Sequence, residues 1–452
     1  MKKNRLALFM GCALSFSTQA APPQVERDSV TFPEGTHVSY RGMFASAFPA
    51  GLPVGIGSGL LFTGREGDTL RFVTLTDRGP NADSPDVGKQ ASKIFVTPDF
   101  APMLMTIRVQ NGKADATDAR PLHDDDGNIN GLPLQKGVIG STNEVALSDT
   151  LTVLQGDNRG LDTEGIAPDG KGGYWLCDEY GPFLIHVDQH GKILAMHGPQ
   201  ALNGETSLAG GLPNVLKWRQ PNRGFEGVTR MPDGRIIAAV QSTLDINGKS
   251  KKQARFIRLV SFDPATGRTA MYGYPIDSEA YSKNSDAKIG DIVALDNQHL
   301  LLIEQGSDKH DVLRNLIYNV DLRQATDLAA FDKTGDYPEF DDAAKLAQRG
   351  IVLATKTQVV DLRQLGWQHE KAEGLALIDS KTLAVTNDND FGVKTVMQNP
   401  VKGIKRKDYR VSAQGVLTVN DKPVDTTLSV APLAPADAAS EIFIVTLDKP
   451  LM

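Results

Sequence analysis

N-R-G-L-D-T-E-G-I-A-P-D-G, Asn158 to Gly170, decides the reading of the fold because it recurs. It returns as N-R-G-F-E-G-V-T-R-M-P-D-G at Asn222 to Gly234, and as A-E-G-L-A-L-I-D-S-K-T-L-A-V-T-N-D-N-D at Ala372 to Asp390. Weaker copies are I-G-D-I-V-A-L-D-N-Q-H-L-L-L-I-E-Q at Ile289 to Gln305 and G-S-G-L-L-F at Gly57 to Phe62. Each copy is a short apolar run, a polar turn and a second apolar run, the pattern of a hairpin. The shared glycines Gly59, Gly165, Gly227, Gly290 and Gly374 are separated by 106, 62, 63 and 84 residues. A gap of about 60 to 80 residues suits one four-stranded blade with generous loops, and the first gap is wide enough for two. The expected fold is therefore an all-β propeller of about six blades.

Strand character is distributed along the chain in support of this. Leu70 to Leu75, Tyr174 to Leu176, Arg235 to Val240, Leu300 to Ile303 and Glu441 to Leu447 are apolar runs bounded by turn residues. One segment reads as helix, D-D-A-A-K-L-A-Q-R at residues 341–349, and is expected as an insertion. The runs around His37 to Met43 and Glu441 to Leu447 are expected to pair and close the ring, which would remove exposed sheet edges.

The N-terminus has a basic start, a short apolar core and small residues, with Thr18 and Ala20 suited to positions −3 and −1 of a cleavage site. This is the pattern of a secretory signal peptide over residues 1–20. Residues 21–452 are then expected to form one domain in the periplasm or outside the cell. Cys12 permits a lipoprotein alternative, although Phe9-Met10-Gly11 is a poor lead-in. Removing Lys2, Lys3 and Arg5 leaves 45 basic against 55 acidic residues, a formal charge of −10, and leaves Cys177 without a disulfide partner in the chain. The acidic balance argues against nucleic acid and anionic membranes as partners and favours divalent cations. No later apolar run spans a bilayer, and a monomer is expected.

Folding each copy about its turn gathers acids at one end. Glu164 is expected beside Asp178, Asp291 beside Glu304, Glu373 near Asp388, and Glu226 opposite Gln241 or Ser242. The Gly57 copy carries no acid at the Glu position. Corresponding strand ends of a propeller share one face, so Glu164, Asp178, Glu226, Asp291, Glu304, Glu373 and Asp388 are candidate ligands of a metal on one rim. Crowded carboxylates repel unless protonated or neutralised by a cation. Hard oxygen donors of variable geometry suit Ca²⁺, and neither the histidine spacing nor the lone Cys177 suits Zn²⁺. Glu164, Asp178, Glu226 and Glu373 are the candidate catalytic carboxylates. Arg78, Arg159, Arg223 and Lys371 flank the acids and are candidate contacts to an anionic substrate. The alternative for each cation is a salt bridge to its neighbour. Ser58 lacks a nucleophile elbow, and His123 with Asp124-Asp125-Asp126 lacks calcium-loop spacing and reads as a turn.

The E-G units, the D-R-G-P-N of Asp77 to Asn81, and the A-E-G with N-D-N-D-F-G further on together resemble the phytase-like family, described as having esterase-like activity of phytase. The resemblance extends from about Tyr40 to Asp448. It implies a β-propeller, phosphoric-ester hydrolysis, Ca²⁺, and Glu164, Asp178, Glu226, Glu304 and Glu373 as rim ligands. Ser58 and Gly290-Asp291 depart from the pattern. A calcium-dependent lactonase or carboxyl esterase, and a non-catalytic binding propeller, are the competing readings.

Overall fold

The computed structural model describes residues 22–199 and 208–451. The expected signal peptide and its cleavage site lie outside them.

Five antiparallel four-stranded units account for most of the sheet structure among the described residues, the first and fifth joined into one eight-stranded sheet where Val30 and Thr31 pair in parallel with Ala114 and Asp115. The first runs through Leu60–Glu66, Thr69–Leu75, Met103–Gln110 and Lys113–Pro121. The second is Thr163–Pro168, Tyr174–Asp178, Phe183–Val187 and Ile193–His197, with a short fifth strand at Leu208–Ala209. The third is Phe225–Arg230, Ile236–Val240, Phe256–Phe262 and Thr269–Pro275, and the fourth is Lys288–Ala294, His299–Ser307, Leu313–Asp321 and Thr355–Asp361. In the fifth, Gly374–Leu377, Thr382–Thr386 and Glu441–Thr446 are completed by the N-terminal strand Gln24–Thr31.

The spacing predicts about six units, and five four-stranded units are present among the described residues. Asn81–Asp83 and Ser92–Phe95, from the loop between the second and third strands of the first unit, form a small sheet with Val145–Leu147, which precedes the second unit. That sheet joins hairpins from the fifth unit around Tyr40, Leu52, Ile94, Leu147, Tyr409 and Leu428 to make a side lobe. The lobe stands next to the central cavity described below.

The repeated glycines explain how the inner strands meet. A Cβ on Gly59 would lie 2.6 Å from the Gly165 Cα, one on Gly165 2.9 Å from the Val228 nitrogen, and one on Gly227 2.8 Å from the Ile292 nitrogen. One on Gly290 would collide with the Ala372 carbonyl, and one on Gly374 would lie 3.0 Å from the Leu60 Cβ. The sequence repeat is thus the contact of each inner strand with the next, where no side chain fits. Between neighbouring units the outward strand faces bury the apolar cores, as with Ile236–Val240, whose five residues are all buried.

Glu441–Thr446 pairs with Gln24–Thr31, from Gln24 opposite Thr446 to Ser29 opposite Glu441. The expected partner at residues 37–43 is corrected: Val38 bridges Leu52 instead, in the side lobe. Val25, opposite Val445, adds apolar surface to the core beneath this outer edge. Arg27, opposite Phe443, clamps Glu441 through two hydrogen bonds of 2.8 and 2.7 Å.

The helical insertion forms at Ala343–Gln348, capped by the Asp342 side chain accepting from the Lys345 N–H at 2.8 Å. A second helix, Ala329–Thr334, precedes it and ends at Gly335 in the left-handed region. Buried Arg258 on the third unit donates to Glu339 at 2.7 and 3.1 Å and pairs with Asp332 at 3.1 Å, tying the insertion to its neighbour.

Candidate functional site

A β-bulge sets the position of Glu164. Gly165, with φ of +83°, lets the inner strand of the second unit kink between Glu164 and Ile166. The register then pairs Thr163 with Asp178 and Glu164 with Cys177, one residue away from a hairpin folded symmetrically about its turn. Asp178 is fully buried beneath the site: its two oxygens accept the N–H groups of Asp162 and Gly181, each at 2.7 Å. It therefore holds the turn that presents Asp162.

Asp162, Asp77 and Glu164 come together as a buried triad, with one carboxylate oxygen of each within 4.8 Å of the others. Asp77 is fixed by accepting the Gly79 N–H at 2.8 Å, and Asp162 by accepting the Arg78 N–H at 3.1 Å. Asp162 Oδ2 and Glu164 Oε2 are buried without a hydrogen-bond partner among the described residues. Arg78 Nε stands 3.6 Å from Asp162 Oδ2 as the nearest counter-charge. Two orphaned anionic oxygens in a buried cluster are costly unless a cation satisfies them. The donors are all hard oxygens, the set that suits Ca²⁺.

The triad opens into a cavity of about 850 Å³ at one face of the molecule. Glu179, Glu226 and Glu373 line it together with Asp388 and Asp390. A single Gln241 amide donates to Glu179 at 2.7 Å and to Glu226 at 2.8 Å, bridging two carboxylates from adjacent units. Burial, followed by repulsion from Glu226 and Glu373, pushes the Glu164 carboxyl well above its ordinary range. Burial and Asp388 do the same to Asp77, and burial and Glu373 to Glu226. Glu373 is raised by burial to about 8, despite the opposing pull of Lys371.

Other expected ligands lie elsewhere. Asp291 accepts the N–H of Ile292 at 2.7 Å and of Leu375 at 2.8 Å, and so staples inner strands of the fourth and fifth units. Glu304 is buried among the Tyr274 hydroxyl at 2.7 Å, the Tyr281 hydroxyl at 3.0 Å and Lys356 Nζ at 2.5 Å, on the face toward the third unit. Its neighbour Gln305 has the opposite orientation, accepting from the Ala372 N–H at 2.8 Å and reaching Glu373 at 3.4 Å. Period-two alternation makes that difference of one residue a difference of face.

The four expected substrate cations also divide. Arg78 is buried in the cavity wall against Glu144, Asn222 and Asp162, and Lys371 Nζ is held by Asp388 at 2.5 Å and Asp390 at 3.0 Å. Arg159 lies outside the cavity, paired with Asp124 of the His123 turn. Arg223 lines the cavity and, among the described residues, donates only to the Ser285 carbonyl, at 2.6 Å. Ser58 is buried, and its carbonyl accepts the Gly165 N–H at 2.6 Å.

Asp77, Asp162, Glu179, Asp390 and Lys288 line the cavity without being among the candidate site residues chosen from the sequence, although Glu179 and Lys288 stand in or beside the repeats. All but Lys288 lie within two residues of a residue the pattern does select, so the signal is the repeat itself, read one or two positions along. The choice among neighbours turns on the bulge and on strand alternation, which the spacing does not reveal.

An all-β fold of repeated four-stranded units, with a carboxylate-lined cavity at one face, defines the class of the protein. The family described as phytase-like, with esterase-like activity of phytase, matches residues 52–391, and the chain belongs to it. That description supports a hydrolase-type function. An uncharacterized secreted protein of Arthroderma benhamiae is 32% identical over 131 residues, which covers 25% of this chain and 25% of that protein. The chain thus matches about a quarter of that relative's length. Among solved structures, a protein of unknown function from Dyadobacter fermentans is 10% identical, with 94% of this chain and 99% of that chain covered and a TM-score of 0.35. The aldose sugar dehydrogenase of Streptomyces coelicolor, in its PQQ-bound form, is 11% identical, with coverages of 82% and 98% and a TM-score of 0.26. Neither likeness is close enough to bear on function.

Proposed function

We propose that the chain is an exported phosphoric-ester hydrolase built on a closed five-bladed propeller, with Ca²⁺ held by Asp77, Asp162 and Glu164. The observation that carries this reading is the buried triad with its two orphaned oxygens. Export is supported by the N-terminal sequence and by the description of the Arthroderma benhamiae relative as secreted. Among the described residues no helix is long and apolar enough to cross a membrane.

When bound, Ca²⁺ supplies charge neutralisation and Lewis-acid polarisation to an anionic ester. The chain's own residues do the rest. Asp178 positions Asp162 through its N–H, and Arg78 fixes both Asp162 and the wall toward Glu144. The Gln241 bridge keeps Glu179 and Glu226 at one distance from the triad. Glu373, with its carboxyl raised to about 8, retains a proton at neutral pH and places a donor for the departing alcohol in an otherwise anionic cavity. Asp388 serves by holding Lys371, whose ammonium offsets the crowding around Glu373. Asp291 and Glu304 act in the scaffold, through the strand staple and the tyrosine cluster described above.

A panel of phosphomonoesters, carboxyl esters and lactones, assayed with Ca²⁺ and with chelator, tests the proposal. Calcium-dependent phosphate release is expected. Ring opening or carboxyl-ester cleavage in its place would assign the site to a lactonase or esterase. A calcium-dependent melting shift without turnover of any member would assign it to binding.

A further inference from the structure

The basic residues of the cavity differ in one respect that its acidity makes informative. Arg27 and His369 are paired with Glu441, Arg78 with Glu144 and Asp162, Lys93 with Asp83, and Lys371 with Asp388 and Asp390. Arg223 and Lys288 are the exceptions. Arg223 makes its one side-chain hydrogen bond to a carbonyl, and the Lys288 side chain has neither a hydrogen bond nor an ion pair among the described residues. In a chain of formal charge −7, two cations with no carboxylate at hydrogen-bond or ion-pair distance among the described residues, though Glu226 lies near both, leave room for an anionic ligand in this acid-lined cavity.

Their location says where the ligand lies. Arg223 enters from the turn before the inner strand of the third unit, and Lys288 opens the inner strand of the fourth. Both also line a second cavity of about 450 Å³, and Lys371, Glu373, Glu370 and Leu313 likewise line both spaces. The unpaired cations therefore stand at the junction of the central cavity and a side arm. The arm continues past Lys283 and Ser307 toward solvent-facing loops. Burial pushes the Arg223 guanidinium down, opposed by Glu179, Asp286 and Glu226.

We propose that Arg223 and Lys288 form a seat for the phosphoryl group of an anionic ligand, with the ligand's remaining bulk lying in the side arm. This rests on the phosphoric-ester reading above and adds the residues that select a charged ester over a neutral one. A guanidinium and an ammonium from separate units can each donate to a different oxygen of one phosphate dianion. A neutral ester or lactone leaves both cations desolvated and unpaired, so the same pair discriminates against those substrates.

The seat is tested apart from metal and turnover by calorimetric titration of inorganic phosphate into the full mature chain in chelating buffer. Wild-type protein is expected to bind phosphate, with Arg223→Gln and Lys288→Gln each weakening it about tenfold or more, as loss of a charge-assisted contact implies. Arg159→Gln, paired with Asp124 outside the cavity, is expected to bind as wild type. Circular dichroism of each variant reports whether it is folded, and Lys288→Arg is expected to retain binding. Equal phosphate affinity in folded Arg223→Gln and Lys288→Gln would overturn the seat. So would binding that requires a divalent cation and is lost in Asp162→Asn. Acetate binding more tightly than phosphate would overturn the phosphoryl assignment. Phosphate-ester turnover by a wild-type chain whose seat fails these tests would leave the hydrolase reading standing. A working seat with no turnover of any ester would instead uphold the seat and overturn the hydrolase reading.

Discussion

At the scale of single residues, Glu164 and Asp162 each carry a buried oxygen with no hydrogen-bond partner among the described residues. A charge in that state weakens the apo protein and strengthens the hold on a cation, and the two effects separate experimentally. Glu164→Gln removes one carboxyl from a crowd that includes Glu226, Glu373 and Asp162. In chelating buffer it is expected to raise stability by about 1–3 kcal/mol, read from urea denaturation. With Ca²⁺ present the same variant should lose phosphate-ester hydrolysis by about 100-fold or more, read from initial rates. A substitution that left both readouts unchanged would remove Glu164 from the site. The residue scale is also where the sequence is least decisive. Acids at Glu164, Glu226, Glu373 and Asp388 are identifiable from the repeat, and the cavity contains them. The bulge at Gly165 replaces the expected Asp178 with Cys177 opposite Glu164, and strand alternation turns Glu304 toward Tyr274 and Tyr281. Both effects depend on local backbone geometry that a count from the turn cannot supply.

At the scale of elements, the glycine of the E-G dipeptide matters more than the glutamate for the fold. Gly165 adopts a left-handed φ and leaves no room for a Cβ against Val228. Gly165→Ala is expected to cost about 2–4 kcal/mol in denaturant unfolding, since it adds steric strain to a backbone conformation that disfavours a side chain. The helical insertion depends on a different device. Arg258→Met strands Glu339 and Asp332 as buried charges, for an expected loss of about 3–5 kcal/mol. Denaturation should show that loss, with a variant as stable as wild type contradicting it. The helix at 343–348 is legible because D-D-A-A-K-L-A-Q-R carries its own cap and helix formers. The side lobe is not legible: its short strands come from segments far apart in sequence, and they carry no repeat to link them.

At the scale of the whole molecule, the last unit is completed by the first strand, and the Arg27–Glu441–His369 contacts bind the two ends of the chain. Burial raises the Glu441 carboxyl, but the hydrogen bonds from Arg27 and His369 outweigh it and hold the group below its usual value. A carboxyl depressed in the folded state stabilises above its unfolded value of about 4.5, and that contribution fades as pH falls through the lowered folded value. Melting temperatures of wild type and Glu441→Gln should therefore differ at neutral pH and converge in acid; a gap independent of pH would exclude this linkage. The repeat makes the architecture readable because each unit buries its faces only against neighbours. The wide first gap holds short strands of the side lobe, which carry no copy of the glycine contacts.

Asp77, Asp162 and Glu164 together hold a divalent cation in this account, and the hydrolase reading depends on that. Calorimetric titration of Ca²⁺ into the mature chain and into a folded Asp162→Asn variant tests it most directly. Saturable binding by wild type that disappears in Asp162→Asn is the predicted result. No binding to wild type, or binding unchanged in the variant, would contradict the account.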